Sequence, residues 1–135
     1  MTTIIGDTAG MIAGMSPELM AGAFDFCTLN ADDPRLVKLI PLARAVFQEA
    51  EGTSLILPVN VMKAEGFAET APMAQITLNV FSSLEGVGLT AAVAQALAAQ
   101  NIACNMVAAF HHDHAFVPLD RAEDAMAVLR KLAAE

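Results

Sequence analysis

The chain has 135 residues, 56% of them hydrophobic, enough for the core of one domain or of two very small modules that share one. Fifteen acidic against seven basic side chains give a formal charge of −8, which repels phosphate backbones, and without Trp or Tyr the stacking platforms of single-stranded nucleic-acid binders are missing. The apolar residues fall in short runs broken by Gly, Pro or charge, so no run reaches the roughly 18 to 20 residues of a membrane helix, and the opening MTTIIGDTAGMIAGM lacks the positive start of a secretory signal, which reads as a cytoplasmic protein.

Residues 1–22 admit two readings. Ile4 and Ile5 could open a strand, whereas Ser16-Pro17-Glu18-Leu19-Met20 has the N-cap and Pro-at-N1 pattern of a helical turn. Met11, Met15 and Met20 read as core filler, because a sulfur metal site would add His or Cys nearby. Phe24 to Leu29 alternates as a strand. After the turn residues Asn30 to Pro34, Leu36, Leu39, Ile40 and Ala43 predict a short amphipathic helix that Pro41 limits. Ala45 to Gln48 and Thr53 to Leu57 flank Glu49-Ala50-Glu51-Gly52 as a hairpin does, and Pro58 ends the second strand. Val59 to Glu65 gives about two helical turns, closed by Gly66, and Phe67 to Pro72 is a link. Cys27 and Cys104 sit in apolar runs without C-x-x-C spacing and read as buried free thiols rather than a disulfide or a catalytic pair.

From Gln75 to Phe81 the period is two, with Ile76, Leu78 and Val80 on one side and Thr77 and Asn79 on the other. A polar, glycine-bearing loop follows, and then Leu89, Ala92, Val93, Ala96 and Leu97 recur at helical spacing, so a helix is expected from near Gly86 to a stop at Gln100-Asn101. Ile102 to Phe110 and Ala115 to Leu119 are the next strands, separated by His111, His112, Asp113 and His114. Asp120 and Glu123 have the N-cap and N3 spacing of a charged capping box. The helix they start buries Ala122, Ala125, Met126, Leu129 and Leu132 and carries Arg130 and Lys131 in its last turn.

The loop SSLEGVGLTAAVAQAL, the stretch AQNIACNMVAAF and the closing FVPL before DRAEDAMAVL resemble an ACT domain, the small ferredoxin-like module that binds amino acids and regulates metabolic enzymes. With EAEGTSLILP and FHHDHAFVP, the chain is similar to small stand-alone bacterial tandem ACT-like proteins, to aspartate kinase ACT modules and to the cytosolic arginine sensors. The resemblance covers residues 23–133. It implies an α+β, ferredoxin-like ACT fold, an antiparallel sheet with helices on one face, in two intertwined ACT-like halves, 1–70 and 71–135. A full βαββαβ module ends in a fourth strand, but this chain stops after its last helix, so the strand must come from elsewhere; the runs at 24–29, 45–50 and 53–57 are candidates.

The glycine loop has two readings. Gly86 and Gly88 permit close backbone approach at a helix start whose open N–H groups can accept a carboxylate, or the loop is a strand-to-helix turn with nothing bound. The resemblance favours a ligand held by Ser83, Leu84, Glu85, Gly86, Val87, Gly88 and Leu89, with Asn105, on the face opposite Cys104 and Met106, touching ligand or dimer partner. It implies a regulatory module that binds a small molecule, an amino acid in first place, without catalysis or cofactor, as a homodimer. The alternative is a small metal-dependent enzyme or metal-binding protein using His111 to His114, since imidazoles and a carboxylate suit zinc. Against it, adjacent ligands in one tight turn rarely close a site, and no nucleophile sits in a recognisable elbow.

Overall fold

A computed structural model describes residues 8–80 and 88–134, and it divides into two compact units, residues 22–73 and residues 1–21 with 74–135. Among the described residues no helix is long and apolar enough to cross a membrane.

In the unit of residues 22–73, β2 (Phe24–Leu29), β3 (Ala45–Glu49) and β4 (Gly52–Pro58) form an antiparallel sheet in the order β3-β4-β2. The expected hairpin is there, with Glu49 opposite Gly52. Gly52 is required by space as well as backbone: at φ 154° a Cβ would stand 2.6 Å from the Leu29 carbonyl oxygen. Helix α2 (Leu36–Leu39) runs into a 3-10 turn, Ile40–Leu42, where Pro41 limits it as its fixed φ and missing N–H require. Helix α3 (Val59–Ala64) follows Pro58 directly. Leu36, Leu39 and Met62 from the helices pack on Leu29, Leu55 and Leu57 from one face of the sheet. The link to residue 73 is tied down by Asp25, whose buried carboxylate accepts hydrogen bonds from the backbone N–H groups of Thr70 at 2.9 Å and Ala71 at 3.1 Å. Those bonds satisfy an ion that would otherwise be costly to bury.

In the other unit, β1 (Ser16–Leu19), β5 (Met73–Asn79, from Ala74 onward), β6 (Asn105–Ala108) and β7 (Asp113–Pro118) stand in the order β1-β5-β7-β6. Helices α1 (Thr8–Ala13), α4 (Leu89–Ala99) and α5 (Ala122–Ala134) cover one face. Ile76, Leu78 and Val80 from β5 and Ala115 and Val117 from β7 meet Leu89, Val93, Leu97, Ala125, Met126 and Leu129 there. Alternation sends Gln75, Thr77 and Asn79 to the opposite face.

The missing fourth strand is β1: Ser16 to Leu19 pairs antiparallel with Asn79 to Ile76, whereas of the runs at 24–29, 45–50 and 53–57 only the first meets β5 among the described residues, at the single pair Phe24 and Met73. The helical turn expected at Ser16 to Met20 is therefore a strand. Pro17 is compatible with it because β1 pairs with β5 alone among the described strands, and an edge position leaves a residue without N–H where no ladder bond is lost.

Other boundaries also differ. The strand expected over Ile102 to Phe110 is confined to Asn105–Ala108, with Ile102 already in the core, and the next begins at Asp113 rather than Ala115. The turn closes with the Ala109 N–H on the His112 carbonyl. Helix α4 starts at Leu89 and stops before Asn101, whose φ of 57° is the left-handed cap expected there. A 3-10 turn over Leu119–Arg121 precedes α5, so Asp120 lies inside that turn rather than capping the helix. Lys131 lies in the last turn of α5, which runs one residue too far for Arg130 to join it.

Candidate functional site

Of the residues expected to hold a ligand, Ser83, Leu84, Glu85, Gly86 and Val87 lie outside the described residues. Gly88 and Leu89 are described. Gly88 is the N-cap of α4 at φ 104° and ψ −25°, a conformation that a residue with a Cβ rarely adopts, and Leu89 is buried in the core as the first helical residue. The helical ladder opens with the Ala92 N–H on the Gly88 carbonyl at 2.8 Å. The N–H groups of Leu89, Thr90 and Ala91 therefore precede it, and no side chain among the described residues caps them. Such an end carries partial positive charge.

Asn105 opens β6. Its neighbours Cys104 and Met106 pack toward the helices, so Asn105 lies on the opposite face, as the alternation requires, and its side chain is exposed. An exposed amide can be served by water, so it does not by itself call for a ligand. Within one chain, Gly88 and Leu89 thus belong to the helix side of this unit's sheet and Asn105 to the other side.

The histidines separate. His111 is exposed and stands edge-on to the exposed Phe110 ring, with centroids 5.1 Å apart. His112 is half-buried, with Nδ1 3.4 Å from the Val80 carbonyl. His114 belongs to β7, not to the turn, and lies half-buried on the face away from the helices. Burial pushes the Asp113 carboxyl above its ordinary value, and the neighbouring His114 and His112 pull the other way. Among the described residues no three of His, Cys, Asp and Glu come together as a metal site. Both thiols are half-buried and free, with burial pushing each pKa up.

A polar group that the sequence reading did not single out sits on this same face. Gln75 Nε2 donates to Thr77 Oγ1 at 3.1 Å, and His114 Nδ1 lies 3.1 Å from Thr77 Oγ1 and 3.3 Å from Gln75 Nε2. These bonds agree if Thr77 accepts from the amide and gives its own O–H to an unprotonated Nδ1. Gln75 and Thr77 are 5% and 7% exposed, so both are covered. The period-two pattern already placed Gln75 beside Thr77. Nothing in it indicated that β7 would begin two residues early and bring His114 across.

Two family profiles match the chain, each described as an ACT domain, over residues 5–74 and 71–131. No curated protein matches it. Among solved structures it is similar to a Vibrio cholerae protein of unknown function, described as a possible transport protein, at 39% identity over 93% of this chain and 94% of that one, with a TM-score of 0.82. A protein from Agrobacterium tumefaciens is 14% identical over 88% of this chain and 89% of its own, with a TM-score of 0.69. The regulatory subunit of aspartate kinase from Thermus thermophilus, in ligand-free form, is 14% identical over 86% and 95%, with a TM-score of 0.56.

Proposed function

We propose, for a chain that belongs to the ACT-domain family, that it is a regulatory module of two intertwined ACT-like halves, 1–70 and 71–135, with β1 of the first paired to β5 of the second, which binds a free amino acid and performs no chemistry of its own. The observation that carries this reading is the start of α4. Gly88 holds a positive φ, and three backbone N–H groups precede the helical ladder at the positive end of the helix dipole. A carboxylate is the ligand group that such an end favours. In this reading residues 83–89 hold the carboxylate, and Glu85 pairs with the ammonium.

The aspartate kinase regulatory subunit among the similar structures lends a precedent for regulation, although its low identity speaks for the fold alone. Since Asn105 faces away from the helix side, its part in the site is as a contact offered to a second copy of the chain, with ligands held between subunits. The setting is cytoplasmic, where free amino acids are the signal. Titration calorimetry of the purified protein against each proteinogenic amino acid tests the proposal: one or a few should bind saturably, and an absence of heat and of thermal stabilisation across the whole set would refute it.

A further inference from the structure

The Gln75, Thr77 and His114 group is incomplete. Gln75 is 5% exposed, yet its Oε1 is buried with no hydrogen-bond partner among the described residues. A buried carbonyl oxygen left without a donor is destabilising, and such groups are few in folded proteins. The sheet places a negative charge on the same face, across from Thr77. Glu18 stands directly opposite Thr77 in the β1–β5 pairing, so the two side chains share a face, and Asn79 Nδ2 donates to Glu18 Oε1 at 3.0 Å, which fixes the carboxylate there. Glu18 is exposed while His114 and Asn79 are half-buried, so the row descends from a charged rim to a sealed acceptor.

We propose that this face of the sheet is a second ligand site, distinct from the helix start, that takes an organic cation bearing N–H groups, a primary ammonium or a guanidinium. Glu18 supplies the charge, and Gln75 Oε1 accepts an N–H that nothing else in the group can give it. Thr77 and His114 hold the Gln75 amide so that its oxygen, not its nitrogen, is the open position. The oxygen is buried, so a ligand reaches it only by displacing the side chains that cover it, and His114, bonded to the same group, senses the change. The ring therefore reports occupancy.

The experiment uses the full chain, with methylammonium and methylguanidinium as probes and tetramethylammonium, which has charge but no N–H, as control. The two N–H cations should shift the His114 imidazole resonances saturably while tetramethylammonium does not. Glu18→Gln, a change at an exposed position, should weaken that response at least tenfold. Gln75→Leu should abolish it. An equal response to tetramethylammonium would overturn the proposal. So would an unchanged response in Glu18→Gln or in a folded Gln75→Leu.

Discussion

Gly88 and His114 show how much a single backbone or side-chain position decides. With φ at 104°, Gly88 cannot be replaced by a β-branched residue without strain of about 1 to 3 kcal/mol, a cost that a folded domain can absorb. If the start of α4 holds a carboxylate, Gly88→Val should therefore remain folded in urea titration while losing amino-acid binding by calorimetry; unchanged affinity in the folded variant would remove the helix start from the site. The histidines should not behave alike. His111 is exposed, and His111→Asn should change stability by no more than about 0.5 kcal/mol. His114→Asn should cost about 1 to 2 kcal/mol, because it takes the acceptor from the Thr77 hydroxyl and disturbs the Gln75 amide. Equal midpoints for the two variants in urea would contradict the bonding described for β7. His114 differs from His111 because β7 starts early enough to include it.

At the level of elements, the parts legible in the sequence are those whose apolar period is long or whose turn chemistry is unambiguous. The β5 alternation, the α4 and α5 stripes, the Glu49 to Gly52 hairpin and the Asn101 stop all appear as read. What was not legible is pairing at a distance. Ser16-Pro17 carries the local signals of a helix start, but the β5 edge beside Ile76 to Asn79 offers it a ladder, and tertiary pairing outweighs local propensity. Of the candidate site, the opposition of Asn105 to Cys104 was readable from period two, whereas the meeting of His114 with Gln75 depended on a strand boundary. The β1 pairing has a consequence for stability. Residues 1–21 contribute buried Met15 and partly buried Ile12 and Leu19 to the core under α5. A fully buried apolar side chain is worth about 1.5 to 3 kcal/mol, so even after discounting the two partly buried residues their loss approaches the roughly 5 kcal/mol at the low end of domain stability. A chain beginning at Gly22 should lose cooperative unfolding of residues 74–135, seen as rapid proteolysis within α4 and α5. Unchanged protease resistance there would mean that β5 does not need its partner.

For the whole molecule, the question is what covers the edges. In the unit of residues 22–73, β3 ends the sheet with Val46 exposed and Phe47 72% exposed, and Ile40 and Leu42 of that unit are exposed too, while in the other unit β6 ends it with Asn105 exposed. An edge strand bearing large apolar side chains is a template for another chain unless it is covered. A net charge of −8 opposes indiscriminate association, so closed two-fold pairing is the arrangement expected rather than open stacking. If the copies also bring one chain's helix start toward the other's second strand of the same module, the ligand touches both chains, and by mass action it stabilises the dimer. Light scattering across a dilution series decides this: the protein should dissociate on dilution, and the amino acid that binds by calorimetry should move the midpoint to lower protein concentration, about tenfold for each 1.4 kcal/mol of coupling. A monomer at every concentration, with and without that amino acid, would defeat the shared interface; a dimer whose midpoint ignores the ligand would keep the interface and place the ligand wholly within one chain.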